Sequence, residues 1–195
     1  GYAASPNSVI SLTNMAFLAF NEKNYQKAGE WAEKALEILP DHVQALYLYG
    51  HAHRKQGDLA SAEATWKKML ELNPGYVIAH LSLGLLYYEE GRLAEAEAAL
   101  AKGFQLERTW GKAFPLAIVK INLGKYDEAI RLVTDYFGAN PDKRELKFAL
   151  GLAHLKKGDM IKAEFYLNQV KDQSESIEDY FKKILGQKVF KIEEY

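Results

Sequence analysis

The stretch VQALYLYGHAHRKQGDLASAEATWKKMLELNPGY, residues 43–76, contains two amphipathic segments separated by a glycine. In the first segment Leu46, Tyr49 and Gly50 follow the i, i+3, i+4 spacing that places them on one face of a helix. Gly57 can adopt the positive φ that follows a helix end, and the aspartate after it can cap the next helix. The stretch therefore predicts a helix, a tight turn and a second helix.

The second segment carries its own buried face and its own stop signal. Ala62, Trp66 and Met69 share one side of the predicted helix. Pro74 then ends the helix, because proline has no backbone N–H and its ring clashes with the preceding turn. Residues 43–76 thus make one complete helix–turn–helix unit.

The same small residues recur along the chain in steps of 34, 34, 33 and 34 residues. The second helices share Ala28, Ala62, Ala96, Ala129 and Ala163, and the first helices share Ala16, Gly50, Gly84, Ala117 and Gly151. The turns share Gly57, Gly91, Gly124 and Gly158, with Lys23 in the equivalent place of the first unit. Small residues in the middle of both helices allow the two backbones to approach closely. The sequence therefore predicts five copies of one packed helix pair.

This pattern resembles the tetratricopeptide repeat, in which aromatic, small and proline residues stand at fixed offsets. The copies that match best are His80, Leu83, Gly84, Tyr87, Ala96 and Leu100 in one unit, and Leu46, Tyr49, Gly50, His53, Ala62, Trp66 and Pro74 in the unit before it. The resemblance implies an all-α fold: a right-handed α-solenoid of five helix pairs with a C-terminal capping helix and a concave groove.

The repeat register divides the chain into three parts. Residues 1–8 form an N-terminal extension, and the five units are predicted at 9–42, 43–76, 77–109, 110–143 and 144–171. Residues 172–195 hold one more helix and a tail. We expect the helix to cap the fifth unit, with a latch in the groove or an arm that docks on a partner as alternatives. Ser174 or Ser176 can begin this helix, its stripe is Ile177, Tyr180, Phe181, Ile184 and Leu185, and the tail adds Val189, Phe190 and Ile192.

Two features near helix starts lead to specific expectations. Asp41 and Asp142 each precede a Gln or Glu by three residues, which is the spacing of a capping box. Pro115 interrupts the start of the fourth unit, where the period is one residue shorter. We expect that helix to begin late, with Pro115 in its first turn and Trp110 filling the gap.

The composition argues against several classes of function. The chain has 195 residues, a formal net charge of −1 and no cysteine, so we expect no nucleic-acid-binding surface and no disulfide or thiolate site. No apolar run approaches the roughly 20 residues that span a bilayer. The opening GYAAS fits the remnant of an export signal as well as a trimmed terminus. We favour a cytoplasmic over a periplasmic location.

His51 and His53 raise the question of a metal site. Residues two apart on a helix point about 200° apart and cannot bind one ion. We interpret His53, His80 and His154 as core residues, because they occupy large apolar or aromatic places of the repeat, and His51 as facing the groove. The sequence has no phosphate-binding loop and no hydrolase motif. We therefore predict no metal, no cofactor and no catalytic residues.

The resemblance implies that first-helix side chains line the groove. More than half of the residues at these places are large and apolar, and exposed patches of this kind mark binding sites. The predicted contact residues are Phe17, Phe20, Tyr47, His51, Arg54, Lys55, Leu81, Leu85, Tyr88, Phe114, Ile118 and Ile121. The clamp of Lys and Asn or Arg that chaperone-tail-binding members use is absent, since Thr13 and Phe17 replace it. We expect a partner protein's apolar, helical segment, with Arg54 and Lys55 beside one of its acidic residues.

The predicted function is a non-catalytic scaffold or adaptor. A chaperone that shields an aggregation-prone subunit of a secretion or assembly system fits the same groove, and so does a regulatory domain of a larger enzyme. Self-association is also open, because the ends of the array and the tail carry apolar residues. The alternative to partner binding is that the curvature of the array, or the tail, buries the groove residues.

Overall fold

The computed structural model describes residues 8–171 and 176–185, and the regular structure in these ranges is helical. The helices are α1 (Val9–Asn21), α2 (Tyr25–Ile38), α3 (Val43–Lys55), α4 (Leu59–Leu72), α5 (Val77–Glu89), α6 (Leu93–Leu106), α7 (Trp110–Asn122), α8 (Tyr126–Phe137), α9 (Arg144–Lys157), α10 (Met160–Leu167) and α11 (Ile177–Leu185). The predicted all-α fold is confirmed. The chain divides into two compact units, of which unit 1 ends at Leu86 and unit 2 begins at Tyr87.

A stripe of alanines on α2 holds the helices of unit 1 together. Ala28, Ala32 and Ala35 are completely buried. Each of them lies in a cluster with one residue of α1 and one of α3, and these pairs are Ala19 and Ala52, Ala16 and Leu48, and Leu12 and Ala45. Because the central side chain of each cluster is a single methyl group, α2 approaches both of its neighbours closely.

Gly50 shows why the first helices carry a small residue in the middle. A Cβ atom on Gly50 would lie 2.9 Å from Cε2 of Trp66 and closer still to its Nε1. Trp66 lies on α4, and its side chain is completely buried. In unit 2, a Cβ atom on Gly151 would lie 2.6 Å from Cδ2 of Leu167. The expected close contact between the two helices of a pair is confirmed at both places.

The turn inside each helix pair contains one residue with positive φ. The φ angles of Gly57, Gly91, Gly124 and Gly158 are 85°, 75°, 77° and 89°. Lys23 occupies the equivalent turn of the first pair with φ 60°, which confirms the predicted equivalence. A side chain with a Cβ atom is strained in this left-handed region, whereas glycine is not.

Beside this turn, a pair of side chains connects the end of the first helix to the start of the second, at what we call the corner of the repeat. The residue types of this pair differ between repeats. The pairs are His53 Nδ1 with Asp58 Oδ2 at 2.9 Å, His154 Nδ1 with Asp159 Oδ2 at 3.3 Å, and the Arg92 guanidinium with the Tyr87 ring at 4.1 Å. Each pair joins the last turn of a first helix to the residue that begins the second helix. Either a histidine–aspartate pair or an arginine–tyrosine pair can thus connect the two helices at this corner.

In the α7–α8 corner a network of charges replaces a single pair. The ammonium group of Lys120 donates to Glu97 Oε1 (2.9 Å) and to Glu128 Oε2 (2.6 Å). Lys125 donates to the other carboxylate oxygen of Glu97 (2.6 Å). The four side chains connect α6, α7 and α8, and partial burial of Lys120 and Glu97 (15 % and 18 % exposed) protects their ion pair from solvent.

The capping boxes predicted at Asp41 and Asp142 are wrong. The N-cap of α3 is His42, whose Nδ1 accepts a hydrogen bond from the Ala45 N–H (3.3 Å). The N-cap of α9 is Lys143, which makes no side-chain capping bond. Each helix begins one residue later than it would if the aspartate were its N-cap. Neither aspartate therefore occupies the capping position.

The late start predicted for the fourth first-helix is also wrong, because α7 begins at Trp110 and contains Pro115 well inside it. Proline in a helix interior costs roughly 3 kcal/mol through the lost hydrogen bond and the clash with the preceding turn. Every residue from Ala113 to Val119 is buried, and burying this apolar run outweighs that cost. Trp110 is half-buried, with the Lys143 ammonium 4.6 Å from its ring centroid.

The additional C-terminal helix predicted from the sequence is α11. Its start at Ser176 agrees with one of the two predicted caps, since the Ser176 hydroxyl accepts a hydrogen bond from the Asp179 N–H (3.1 Å). Ser174, the tail residues Val189, Phe190 and Ile192, and the side chains of Tyr180, Phe181 and Ile184 lie outside the described part of the chain. The capping role of α11 therefore stays a prediction.

We expect Gly50→Ala to destabilise the protein by about 2 kcal/mol, because the added methyl group overpacks the contact with Trp66. Urea unfolding followed by circular dichroism measures this change. Gly138→Ala is the matched control, since a Cβ atom on Gly138 would meet no atom within 4 Å. Equal stability of the two variants would contradict the packing role of Gly50.

We expect Lys23→Gly to stabilise the protein by up to about 1 kcal/mol, because glycine relieves the strain of the positive φ in the first turn. The side chain of Lys23 is exposed, so little packing is lost. The same unfolding assay applies, with Lys23→Ala as the control that removes the long side chain but keeps the Cβ atom. A gain with alanine as large as with glycine would show that φ is not the cause.

Candidate functional site

Five of the predicted groove residues in unit 1 are large and apolar and are not fully buried, and we call these five the inner face of unit 1. It consists of Phe17 and Phe20 on α1, Tyr47 on α3, and Leu81 and Leu85 on α5. Phe17 is 55 % exposed, and the other four side chains are half-buried. Five large apolar side chains that are only partly covered thus occur on three helices of one compact unit.

A pocket of about 270 Å³ opens between α1 and α3 at this inner face. Its lining consists of Thr13, Asn14, Phe17, Gln44, Tyr47 and Leu48. No lining side chain is charged at neutral pH, because burial raises the pKa of Tyr47 above its ordinary value and keeps the phenol protonated. The pocket therefore suits an uncharged apolar group, and the exposed carboxamides of Asn14 and Gln44 offer hydrogen bonds at its edge.

His51 lies beneath the inner face rather than on it. Its side chain is 5 % exposed, and its Nε2 lies 3.1 Å from the hydroxyl of Ser82 on α5. Its ring centroid is 4.3 Å from that of Tyr47 and 4.9 Å from that of Trp66. Burial, with the charges of Arg54 and Lys55, lowers the pKa of His51 to about 3, so the ring is neutral at pH 7. His51 therefore packs α3 against α4 and α5.

The two cations predicted beside the ligand differ in exposure. Arg54 is 9 % exposed and belongs to the interior of unit 1. Lys55, the next residue, is exposed at the end of α3. Of the pair, Lys55 is therefore the one with an exposed side chain.

The predicted groove residues of unit 2 are buried in this structure. Tyr88, Phe114, Ile118 and Ile121 are 1 %, 6 %, 0 % and 3 % exposed. The Tyr88 hydroxyl accepts a hydrogen bond from Asn122 Nδ2 (3.2 Å), which ties α5 to α7. These four side chains are therefore largely covered, although Phe114 also lines a pocket of about 240 Å³ together with Arg144, Glu145, Phe148 and Val170.

Models of the tetratricopeptide repeat family match the chain over residues 8–74 and over residues 47–105 and 114–184. The chain belongs to the tetratricopeptide repeat family. These matches include residues of both compact units and extend into α11. The suspected family and the α-solenoid fold class are thereby confirmed.

Several solved tetratricopeptide repeat structures are similar in fold. The crystal structure of the MamA protein has a TM-score of 0.73 at 20 % identity, covering 85 % of this chain and 91 % of MamA. YrrB, described as a tetratricopeptide repeat protein with an unusual peptide-binding site, has a TM-score of 0.73 at 19 % identity, covering 92 % and 93 %. PilF of Pseudomonas aeruginosa has a TM-score of 0.72 at 18 % identity, covering 83 % and 74 %. None of the curated proteins compared with the chain matches it.

Membership in the tetratricopeptide repeat family makes the chain a protein-interaction scaffold, since the matching models describe an interaction repeat and no catalytic family. Within the described ranges, no three His, Asp or Glu side chains are grouped so as to hold a metal ion. His53, the partner of His51 in the sequence motif, instead contacts Asp58. In the same ranges, no helix is long and apolar enough to cross a membrane.

Two exposed apolar side chains on α10 were not anticipated from the sequence. Ile161 is 83 % exposed and Phe165 is 63 % exposed. The repeat register could have identified them, because the equivalent places in the other second helices hold polar or charged pairs (Gln26 and Glu30, Asp127 and Arg131) or pairs of alanines (Ala60 and Ala64, Ala94 and Ala98). Large apolar residues at these places are recognised only when the repeats are compared with one another. The periodicity within one helix does not reveal them.

We expect the stability of the protein to fall as the pH is lowered from about 6.5 towards 3, in part because of His51. The unfolded chain protonates this histidine near its ordinary pKa of 6.5, whereas the folded chain protonates it only near 3. Between these values the unfolded state binds more protons, so acid favours unfolding by up to about 1.4 kcal/mol per pH unit.

Urea unfolding of wild type and His51→Asn at a series of pH values isolates this contribution. Asparagine keeps a polar group near Ser82 but does not titrate, so the variant should lose stability less steeply over this pH range. The carboxylates, and His154, whose pKa burial also lowers, are common to both proteins and cancel in the difference. Parallel pH curves would show that His51 is accessible to protons in the folded state.

Proposed function

We propose that the chain is a non-catalytic scaffold or adaptor that holds an apolar or amphipathic segment of a partner protein on the inner face of unit 1. One observation carries this proposal: Phe17 is 55 % exposed beside a neutral pocket that it helps to line. A large aromatic side chain at the mouth of an uncharged pocket is typical of an interaction hot spot. Tyr47, Leu81 and Leu85 extend the same apolar surface over α3 and α5.

The geometry favours a ligand with spaced apolar anchors. One anchor side chain fits the pocket between α1 and α3, and a second can rest on Leu81 and Leu85. An amphipathic helix presents such anchors at positions i, i+3, i+4 and i+7. Burying the exposed ring of Phe17 contributes about 25 cal/mol per Å² of apolar area removed from water.

Charge gives the ligand a preferred orientation. Lys55 is exposed at the C-terminal end of α3, close in sequence to the inner-face residue Tyr47. An acidic residue at one end of the bound segment would lie favourably near Lys55, although such an exposed pair contributes only about 0–1 kcal/mol. We therefore assign affinity to the apolar anchors and orientation to Lys55.

The family supports this proposal in general terms. Tetratricopeptide repeat proteins bind proteins or peptides, and YrrB, a member of similar fold, has a peptide-binding site. At 19 % identity the likeness to YrrB shows the fold alone, so the assignment of the site rests on the inner face itself. The chaperone and the regulatory domain predicted from the sequence would use the same surface and stay predictions.

We expect Phe17→Ser to weaken binding of a selected peptide by about tenfold or more, because it removes a hot-spot side chain from the pocket. Peptides are selected from a random displayed library against the wild-type chain, and the dissociation constant of the tightest one is measured by fluorescence anisotropy. Phe165→Ser is the matched control, since Phe165 is exposed to a similar extent (63 %) but lies on α10 of unit 2.

The proposal requires that the two serine variants behave differently while both keep their helical circular dichroism. Equal loss of binding in both, or loss in Phe165→Ser alone, would place the binding surface elsewhere. A selection that yields no peptide with measurable affinity would also contradict the proposal.

A further inference from the structure

The pocket of about 240 Å³ in unit 2 occupies the same place in the repeat as the pocket of unit 1. Three of its lining residues are the repeat equivalents of lining residues in unit 1, and these pairs are Phe114 and Thr13, Glu145 and Gln44, and Phe148 and Tyr47. The unit 1 pocket lies between α1 and α3, and the unit 2 pocket lies between α7 and α9. The chain therefore carries the same hollow in both units, with a different lining in each.

The lining of the unit 2 pocket combines apolar surface with charge. Phe114, Phe148 and Val170 supply the apolar surface. Arg144 and Glu145 add a guanidinium and a carboxyl group, whereas no side chain around the unit 1 pocket is charged at neutral pH. At about 240 Å³ the unit 2 pocket is smaller than the roughly 300–1,000 Å³ of small-molecule sites. It therefore suits one or two protein side chains rather than a cofactor.

Arg144 departs from the repeat pattern at this pocket. It is the first residue of α9, and the first residues of the other first helices are all apolar: Val9, Val43, Val77 and Trp110. Those four side chains are half-buried, whereas Arg144 is exposed. Because four repeats fold with an apolar residue at this place, the fold itself does not require a cation there. A role towards a ligand accounts for the arginine.

A hydrogen bond holds the Arg144 guanidinium at the wall of the pocket. Its Nη2 donates to the carbonyl oxygen of Val170 at 2.6 Å, which ties the start of α9 to the segment that follows α10. Within the part of the chain that the structure describes, no carboxylate forms an ion pair with Arg144. A guanidinium carries five N–H donors in a planar fork that matches a carboxylate. The remaining donors can therefore receive the carboxylate of a ligand.

We propose that the unit 2 pocket is a second protein-binding site, which recognises an apolar side chain next to a single acidic side chain on a segment of a partner protein. The apolar side chain packs on Phe148 and Phe114, and the carboxylate pairs with Arg144. Glu145 limits the ligand to one acidic residue at this place, because a second carboxylate would meet a like charge. This site belongs to unit 2 and does not rest on the binding proposed for the inner face of unit 1.

The alternative ligand is a basic side chain that pairs with Glu145. Two observations favour the acidic ligand instead. Arg144 is exposed, whereas Glu145 is half-buried and already interacts with another group of the chain. Lys143 adds a second positive charge at the start of α9, with its ammonium group 4.6 Å from the centroid of the Trp110 ring. An incoming carboxylate therefore meets two cations at this end of the pocket.

Peptide selection on the full chain tests this proposal. The bait is the Phe17→Ser variant, in which the unit 1 pocket lacks its exposed aromatic side chain. The probe is a random peptide library whose carboxyl ends are fused to the display carrier, so that only a side chain can supply a carboxylate. We expect selected peptides to carry an acidic residue within about four positions of a Leu, Met or aromatic residue, which places the two on one face of a helix.

Substitution of Arg144 then measures its part in binding by fluorescence anisotropy. Arg144→Gln should weaken the tightest peptide about fivefold, because it removes the charge but keeps an amide that can donate to Val170. Arg144→Lys keeps the charge without the planar fork and should weaken binding about twofold. Arg131→Gln is the matched control, since Arg131 is an exposed arginine of unit 2 that does not line the pocket. Circular dichroism checks that each variant folds.

A double-mutant cycle tests whether the contact is direct. Replacing the acidic residue of the peptide by its amide should weaken binding to the bait about fivefold. The same replacement should cost less than about twofold when Arg144 is already glutamine, because the pair is then broken in advance.

Four results would overturn the proposal. A Phe17→Ser bait that selects no peptide excludes a site in unit 2, and selected peptides that are basic rather than acidic place the ligand on Glu145. Equal losses with Arg144→Gln and Arg131→Gln, or additive losses in the cycle, exclude a direct pair with Arg144. None of these results depends on the pocket of unit 1, so failure here is distinct from failure of the function proposed for the inner face.

Discussion

The architecture of this protein depends on close backbone approach at small side chains in the middle of its helices. Gly50 leaves room for the indole of Trp66, and Gly151 leaves room for Leu167 in the same way. A methyl group at either place would overlap the neighbouring side chain. In these two helix pairs the separation is thus set by a glycine, and the apolar residues around it fill the remaining space.

Once these contacts fix the separation of the helices, the rest of each repeat can vary. The corner after the turn is closed by histidine and aspartate in two repeats, by tyrosine and arginine in another, and by a lysine–glutamate network in a fourth. The chemistry of this corner therefore differs between repeats that share one fold. The inner face varies for the same reason, so a binding surface can change its chemistry without loss of the fold.

The sequence predicted the helices and turns well, because both depend on local periodicity. It even identified Lys23 as the equivalent of four glycines, and the structure gives that lysine a positive φ. Periodicity predicts which side of a helix a residue occupies but not how deeply it is covered. Phe17 and Ile118 have equivalent places in their repeats, yet one is 55 % exposed and the other is fully buried. Pro115 was misjudged for a related reason, since the tertiary packing that outweighs its cost lies outside the local sequence.

The alanine stripe on α2 has a consequence for how the chain unfolds. Ala28, Ala32 and Ala35 each contact a residue of α1 and a residue of α3 at once, so the stabilising contacts lie between neighbouring repeats as well as within one. Loss of one helix removes contacts from its neighbour, and the loss propagates along unit 1. Amide protons of α2 and α3 should therefore exchange together, as one cooperative block, rather than repeat by repeat.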